Sequence, residues 1–267
     1  MANTNYNMVA QNVESTVVAE YTPPYGRVDS YQSEDQLEIA FIKQLQTQAY
    51  EYLKITKEED LLLNLRKQLE KLNDYKFSDK EWKQFFNSEI ANPNQSIAEK
   101  TTTIQEDHIK ILNCDNGMSK NIYLIDKKNI HNNNLQVINQ YTTDEGQRTN
   151  RYDVTVLVNG LPLVHIELKR RGVAIQEAFN QINRYQRESF WAGSGLFEYI
   201  QLFVISNGTN TKYYSNTTRF EHIKETNNGA KKKGKKSSSS FEFTSWWADH
   251  TNRPITDLIG FAKTFFA

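Results

Sequence analysis

Apolar positions along this chain follow two rhythms, first helical and then strand-like. Leu37, Phe41, Leu45 and Tyr52 recur at helical spacing and predict one buried stripe. Ser33 opens that helix, and Gln36 three residues on completes a capping box. Residues 58–73 repeat the pattern through Leu61, Leu65, Leu69 and Leu72. Ser78 caps a third helix carrying Trp82, Phe85, Phe86 and Ile90, with Pro93 just beyond it.

The texture then changes. Residues 121–125, 135–141, 152–158 and 163–168 are short, rich in Val, Ile and Tyr, and separated by polar turns, as strands are. Residues 174–190 read as a helix with Ile175, Ala178, Ile182 and Tyr185 near one face. Residues 199–205 form another apolar strand, which Asn207-Gly208 turns towards residues 212–215. Residues 254–265 read as an amphipathic helix. This order predicts an α/β domain with a central mixed β-sheet flanked by helices.

Residues 1–30 are polar, contain Pro23-Pro24 and Gly26, and read as an N-terminal arm with room for one short strand. Residues 31–267 make up the domain. Lysines, glycines and serines in residues 229–240 interrupt it as a flexible basic loop.

Composition narrows the class. Of 267 residues, 38% are hydrophobic and 24% charged, the balance of a soluble globular protein. Lys plus Arg and Asp plus Glu both total 32, so any surface for nucleic acid must be local. Cys114 is the single cysteine, which excludes an intrachain disulfide and a thiolate metal cluster and fits a reducing cytoplasm. No apolar run approaches the roughly 20 residues needed to span a bilayer, so no membrane partner is expected.

The chemistry concentrates in residues 151–169. Asn159-Gly160 between two apolar runs predicts a hairpin whose outer ends carry Asp153 and Glu167. Alternation puts Glu167 and Lys169 on one face. A strict two-residue loop would set Asp153 opposite Ile166 and separate the acids. An odd loop centred on Gly160, or a local bulge, sets Asp153 opposite Glu167, and that register is the expectation. Pro162 also discourages a tight ladder there.

Two carboxylates on one face make a hard oxygen site suited to Mg²⁺. A lysine beside them can orient a water or stabilise charge on a phosphate. Those parts suffice for phosphodiester hydrolysis. Glu167 and Lys169 can equally be read as a surface ion pair of little value. The flanking apolar runs argue for a buried sheet, whose edge charges then need a reason.

The Asp followed by Glu-Xaa-Lys on the next strand resembles the PD-(D/E)XK nuclease core. More specifically, the chain resembles the R subunit of type I restriction enzymes. The resemblance rests on Tyr31-Gln32-Ser33-Glu34 with Leu37-Glu38, Arg151-Tyr152-Asp153 and Val158-Asn159-Gly160-Leu161-Pro162. It continues through Ile166-Glu167-Leu168-Lys169-Arg170, residues 178–185 and Phe203-Val204-Ile205-Ser206-Asn207-Gly208. Tyr152 stands where the wider superfamily often has proline.

The resemblance implies that Asp153 and Glu167 are metal ligands and Lys169 the catalytic lysine. It marks Gln181 and Tyr185 as a Gln-Xaa-Xaa-Xaa-Tyr pair that contacts DNA or supports the site. Ordinary helix periodicity, with Tyr185 in the core, accounts for the same spacing. Glu38 corresponds to an acid of the first helix that approaches the metal through water. The implied partners are duplex DNA, methyltransferase and specificity subunits, and helicase domains of the same subunit, where ATP would be hydrolysed.

Residues 229–236 nearly spell a phosphate-binding loop but end on Lys236 and follow no apolar strand, so they carry no ATP site. His165 reads as a packed strand residue, and His108, His131, His222 and His250 show no zinc spacing. Trp246-Trp247 reads as core or a domain contact. The leading expectation is an endonuclease domain that cuts duplex DNA after ATP-driven translocation. The alternatives are a catalytically silent module that clamps DNA or docks subunits, and a stand-alone nuclease.

Overall fold

The structure is a computed structural model that describes residues 7–11, 16–19, 31–143, 149–216 and 239–267. Most of the expected arm, His222 and most of the expected basic loop at 229–240 lie outside the described residues. Within the arm, β1 (Asn7–Gln11) and β2 (Thr16–Ala19) pair antiparallel, two strands where one was expected.

Helix α1 (Glu34–Thr47) begins as its sequence dictates, with Ser33 and Gln36 closing a full capping box. Leu37, Phe41 and Leu45 are buried along it. Tyr52 does not continue that stripe. Ala49 takes a left-handed φ of 67°, which ends the helical path. The chain then enters β3 (Glu51–Tyr52), where Tyr52 is exposed and its hydroxyl donates to Asn139 Oδ1 at 2.9 Å.

Helix α2 (Glu58–Leu72) buries Leu61, Leu65 and Leu69. Ser78 caps α3 (Asp79–Phe85), and a π turn (Phe86–Ile90) carries the chain to buried Ile90. Helix α4 (Ile97–Gln105) was not anticipated. It buries Lys100, Thr101 and Thr103 beside Ile104, so its stripe is not apolar, although Ser96 and Glu99 form a capping box. A separate hairpin of β4 (Ile109–Asn113) and β5 (Ser119–Tyr123) follows.

The main sheet comes next: β6 (Leu135–Thr143), β7 (Asn150–Val158), β8 (Leu161–Leu168), then α5 (Gln176–Glu188), β9 (Leu202–Ser206) and β10 (Thr211–Ser215). Residues Leu196–Tyr199 are a 3-10 turn, so the apolar strand starts later than expected. Helix α6 (Leu258–Phe265) also starts late, because Asp257 caps it by accepting from the Gly260 N–H.

The strand order is β10-β9-β8-β7-β6-β3. β8 with β9 and β3 with β6 are parallel, and the other pairs antiparallel, so the sheet is mixed as expected. Helices α1 and α6 cover one face through Phe41, Leu45, Leu258 and Phe261 packed on Val154, Val164 and Ile166. Helices α2 and α5 cover the other through Leu65, Leu69, Phe179 and Ile182. Among the described residues, no helix is long and apolar enough to cross a membrane.

The β7–β8 turn sets the register. Asn159 and Gly160 have φ of 51° and 83°, the two left-handed residues of a type I′ turn. A Cβ on Gly160 would lie 2.6 Å from Leu65 Cα, so the turn seats directly on α2. The strict two-residue loop therefore occurs, pairing Val158 with Leu161 and Leu157 with Pro162. A bulge then shifts the ladder, and Val156 pairs with Val164, Thr155 with His165 and Val154 with Ile166. The local bulge, not an odd loop, brings Asp153 towards Glu167.

Candidate active site

Asp153 enters near the start of β7 and Glu167 near the end of β8. Both are buried, Glu167 completely. Asp153 Oδ2 accepts from the Leu168 N–H at 2.8 Å. Lys169 Nζ donates to Glu167 Oε1 at 3.2 Å and to the Leu168 carbonyl at 2.8 Å. The three residues singled out from the sequence thus meet at one end of the hairpin. A surface ion pair does not describe Glu167 and Lys169, whose side chains are 0% and 12% exposed.

Burial disfavours the charged form of both acids, even with the Lys169 ammonium beside Glu167. Burial first, and then repulsion from Glu167, push the Asp153 carboxyl up to about 8. Burial likewise raises Glu167 to about 7, opposed by Lys169 and by a hydrogen bond with Asp153. Two carboxyls forced together share a proton or need a cation.

His165 is packed, as its position between apolar neighbours indicated. Its ring meets Tyr152 at 5.6 Å, Phe190 at 5.6 Å and Tyr185 at 6.0 Å between centroids. Its Nε2 lies 3.3 Å from Glu167 Oε2. Burial depresses its pKa to about 4, so the ring is neutral at neutral pH.

Gln181 and Tyr185 face one way on α5, and the Gln181 amide donates to the Tyr185 hydroxyl. That hydroxyl donates to the Arg151 carbonyl at 2.8 Å, two residues before Asp153. Tyr185 is buried, and the charges of Glu167 and Asp153 help to raise its pKa. Glu38 stands apart from this group. Asn139 Nδ2 donates to its Oε1 at 2.6 Å and Gln140 Nε2 to its Oε2, and burial raises its pKa. Gln140, with φ of 53°, interrupts the alternation of β6 to make that contact.

Glu34 received no role in the sequence reading. It accepts from the Arg170 N–H at 3.3 Å, and its charge helps to raise Glu167. Its signals were its place in the first turn of α1 and in the Tyr31–Glu34 stretch of the resemblance, and neither announces a contact with Arg170, more than a hundred residues away.

Among the described residues, no group of three or more acid, histidine or cysteine side chains forms a ready metal cage. Two carboxylates fit Mg²⁺ nonetheless, because that ion keeps several waters and takes one or two protein carboxylates. Asp153 and Glu167 are the pair that fits, since each is buried with its charged form disfavoured.

Comparison with known proteins points in one direction. Residues 31–222 match the family described as Type I restriction enzyme R protein N terminus. The chain is 44% identical over 259 residues to the type I restriction enzyme EcoprrI endonuclease subunit of Escherichia coli, covering 97% of this chain and 77% of that protein. It is 38% identical over 242 residues to the SsaAORF53P endonuclease subunit of Staphylococcus saprophyticus, and 37% over 243 residues to the SauCOLORF180P subunit of Staphylococcus aureus. Each staphylococcal match covers 88% of this chain but only 23% of the relative.

Proposed function

Because the chain belongs to the family of type I restriction enzyme R protein N-terminal regions, we propose that it is the Mg²⁺-dependent endonuclease domain of such an enzyme. It hydrolyses phosphodiester bonds of duplex DNA in the cytoplasm. The observation that carries this reading is the buried meeting of Asp153, Glu167 and Lys169. A silent clamp or docking module leaves that buried acid pair without a purpose, since unneutralised carboxylates repel phosphate.

Asp153 and Glu167 would hold the ion. When bound, Mg²⁺ supplies charge that stabilises a phosphoryl group in flight and acidifies water. Lys169, its side chain mostly buried beside Glu167, orients the attacking water or neutralises charge on the phosphate. The Leu168 N–H fixes Asp153, which keeps its carboxylate from swinging away from the pair. Tyr185, with Gln181 behind it, holds the Arg151 carbonyl and so the strand that presents Asp153. Glu38 fixes Asn139 and Gln140 beside β7, a supporting place rather than a direct one.

The relatives' greater length accommodates the helicase domains that the family resemblance implies, where ATP is spent. Methyltransferase and specificity subunits are its partners, and the specificity subunit supplies recognition. Residues 31–267 act as the nuclease unit. The test is cleavage of a target-bearing plasmid by the assembled complex with ATP and Mg²⁺. Wild type linearises the plasmid, and Asp153→Ala leaves it intact while still hydrolysing ATP. Cleavage by Asp153→Ala would sink the reading.

A further inference from the structure

The four backbone N–H groups that follow Glu167 are all held, and by different parts of the chain. Leu168 donates to Asp153 Oδ2 at 2.8 Å and Lys169 to the Ser206 carbonyl at 2.8 Å. Arg170 donates to Glu34 Oε1 at 3.3 Å and Arg171 to the Gln32 carbonyl at 3.1 Å. The Arg171 side chain also returns to Gln32, its Nη2 lying 2.9 Å from Oε1. β9 holds the residue that carries the ammonium. The first residue of α1 and its lead-in hold the two residues beyond it.

This fastening is unusual for its position. Chain leaving the end of a strand normally loses its ladder, and Arg170 is exposed. Lys169 has a long flexible side chain whose own anchors are Glu167 and the Leu168 carbonyl. Where its ammonium points depends on where its backbone is fixed. A displacement of about 1 Å at a reacting group can reduce a rate by about a hundredfold.

We propose that Gln32 and Glu34 are positioning residues that hold the Lys169–Arg171 segment, and through it the Lys169 ammonium, in its working place. The inference rests on the nuclease reading above. Glu34 acts as a hydrogen-bond acceptor here. Its proximity to the site is also visible in its repulsion of Glu167. Ser33, which lies between the two clamping residues, is itself held by its capping box with Gln36.

The acceptor role separates two substitutions. Glu34→Gln keeps an oxygen for the Arg170 N–H and removes the charge, whereas Glu34→Ala removes both. Amide hydrogen exchange of residues 168–171 reads the clamp without any cleavage. Single-turnover plasmid cleavage by the assembled complex, with ATP hydrolysis in parallel, reads its consequence.

Glu34→Ala removes the acceptor of the Arg170 N–H and is expected to exchange faster at 170. Gln32→Ala removes the anchor of the Arg171 guanidinium but not the backbone acceptor of its N–H, and is expected to exchange faster at 171 by a smaller factor. Both should cut about tenfold more slowly, with ATP turnover unchanged. Glu34→Gln restores protection and most of the rate. Thermal unfolding shows which variants remain folded, and Gln32→Ala serves if Glu34→Ala does not. The proposal is overturned if exchange rises but cleavage does not fall, if cleavage falls without faster exchange, or if Glu34→Gln is as impaired as Glu34→Ala. Asp153→Ala run alongside separates the two claims. If it still cuts, the nuclease reading fails whatever the exchange at 170 and 171 shows.

Discussion

The Leu168 amide donates to Asp153 Oδ2 at 2.8 Å, a bond from the backbone of one strand to the side chain of its neighbour. It stands where a ladder bond would continue the β7–β8 pairing beyond Val154 and Ile166. The carboxylate thus becomes part of the sheet's own fastening. Moving Asp153 would loosen the strand that carries Glu167 and leads into Lys169. A change at Asp153 therefore acts on the fold and on the proposed centre together.

Gly160→Ala tests the turn that sets the register. Alanine would be forced to φ near 83°, with its Cβ 2.6 Å from Leu65 Cα. A strained left-handed residue costs about 1–3 kcal/mol, and the backbone contact with α2 adds to it. Urea unfolding should show a loss of roughly 2 kcal/mol or more. An unchanged midpoint would mean that α2 and the turn are not in contact.

Tyr185→Phe removes the donor to the Arg151 carbonyl and the acceptor for Gln181. The ring stays packed, so the expected loss of stability is about 1 kcal/mol, the net worth of an ordinary hydrogen bond. Cleavage is expected to fall several-fold while the fold persists, because the strand presenting Asp153 loses its tie. If cleavage keeps its full rate, Tyr185 is a core residue and nothing more, as plain helix periodicity allows.

Stability should fall as pH rises when no divalent cation is present. Asp153 and Glu167 are raised in the folded chain, to about 8 and about 7. A raised acid stabilises the fold fully below its unfolded pKa and loses that contribution as pH climbs through the folded one. His165 works the other way. Lowered to about 4, it stabilises above its unfolded value, and that contribution is lost only on acidification. Thermal unfolding between about pH 7 and 9 therefore isolates the acids. In a chelator the midpoint should drop across that window, and Asp153→Asn should flatten the drop. Mg²⁺ should also offset it, by binding the charged pair. A flat profile in chelator would mean that the two carboxyls are not coupled by burial.

Much of this could be read in residue order. The Ser33 and Ser78 capping boxes and the stripes of Leu61, Leu65 and Leu69 declared their helices locally, within a few residues. The hairpin was also legible, because Asn159-Gly160 is a turn that side-chain chemistry alone specifies. The register of its outer ends was legible only as a choice, since the bulge that brings Asp153 towards Glu167 has no local signature beyond Pro162.

Other features depended on distant partners. Tyr52 keeps helical spacing with Leu45, yet the left-handed Ala49 carries it into a strand beside β6. Helix α4 hid because it buries Lys100, which pairs with Glu198 at 2.5 Å. Glu34 meets Arg170 across most of the domain, a contact that no spacing rule announces.

If Asp153, Glu167 and Lys169 act as one centre, the losses from substituting them are not additive. Plasmid cleavage by the assembled complex should be compared for wild type, Asp153→Ala, Lys169→Ala and the double variant, with ATP turnover as the control for assembly. Residues that act as a unit lose together, so each single variant should cost nearly as much as the pair. The predicted result is near-complete loss in all three variants, no further loss in the double, and full ATP turnover throughout. Cleavage surviving in either single variant, or losses that multiply in the double, would contradict it.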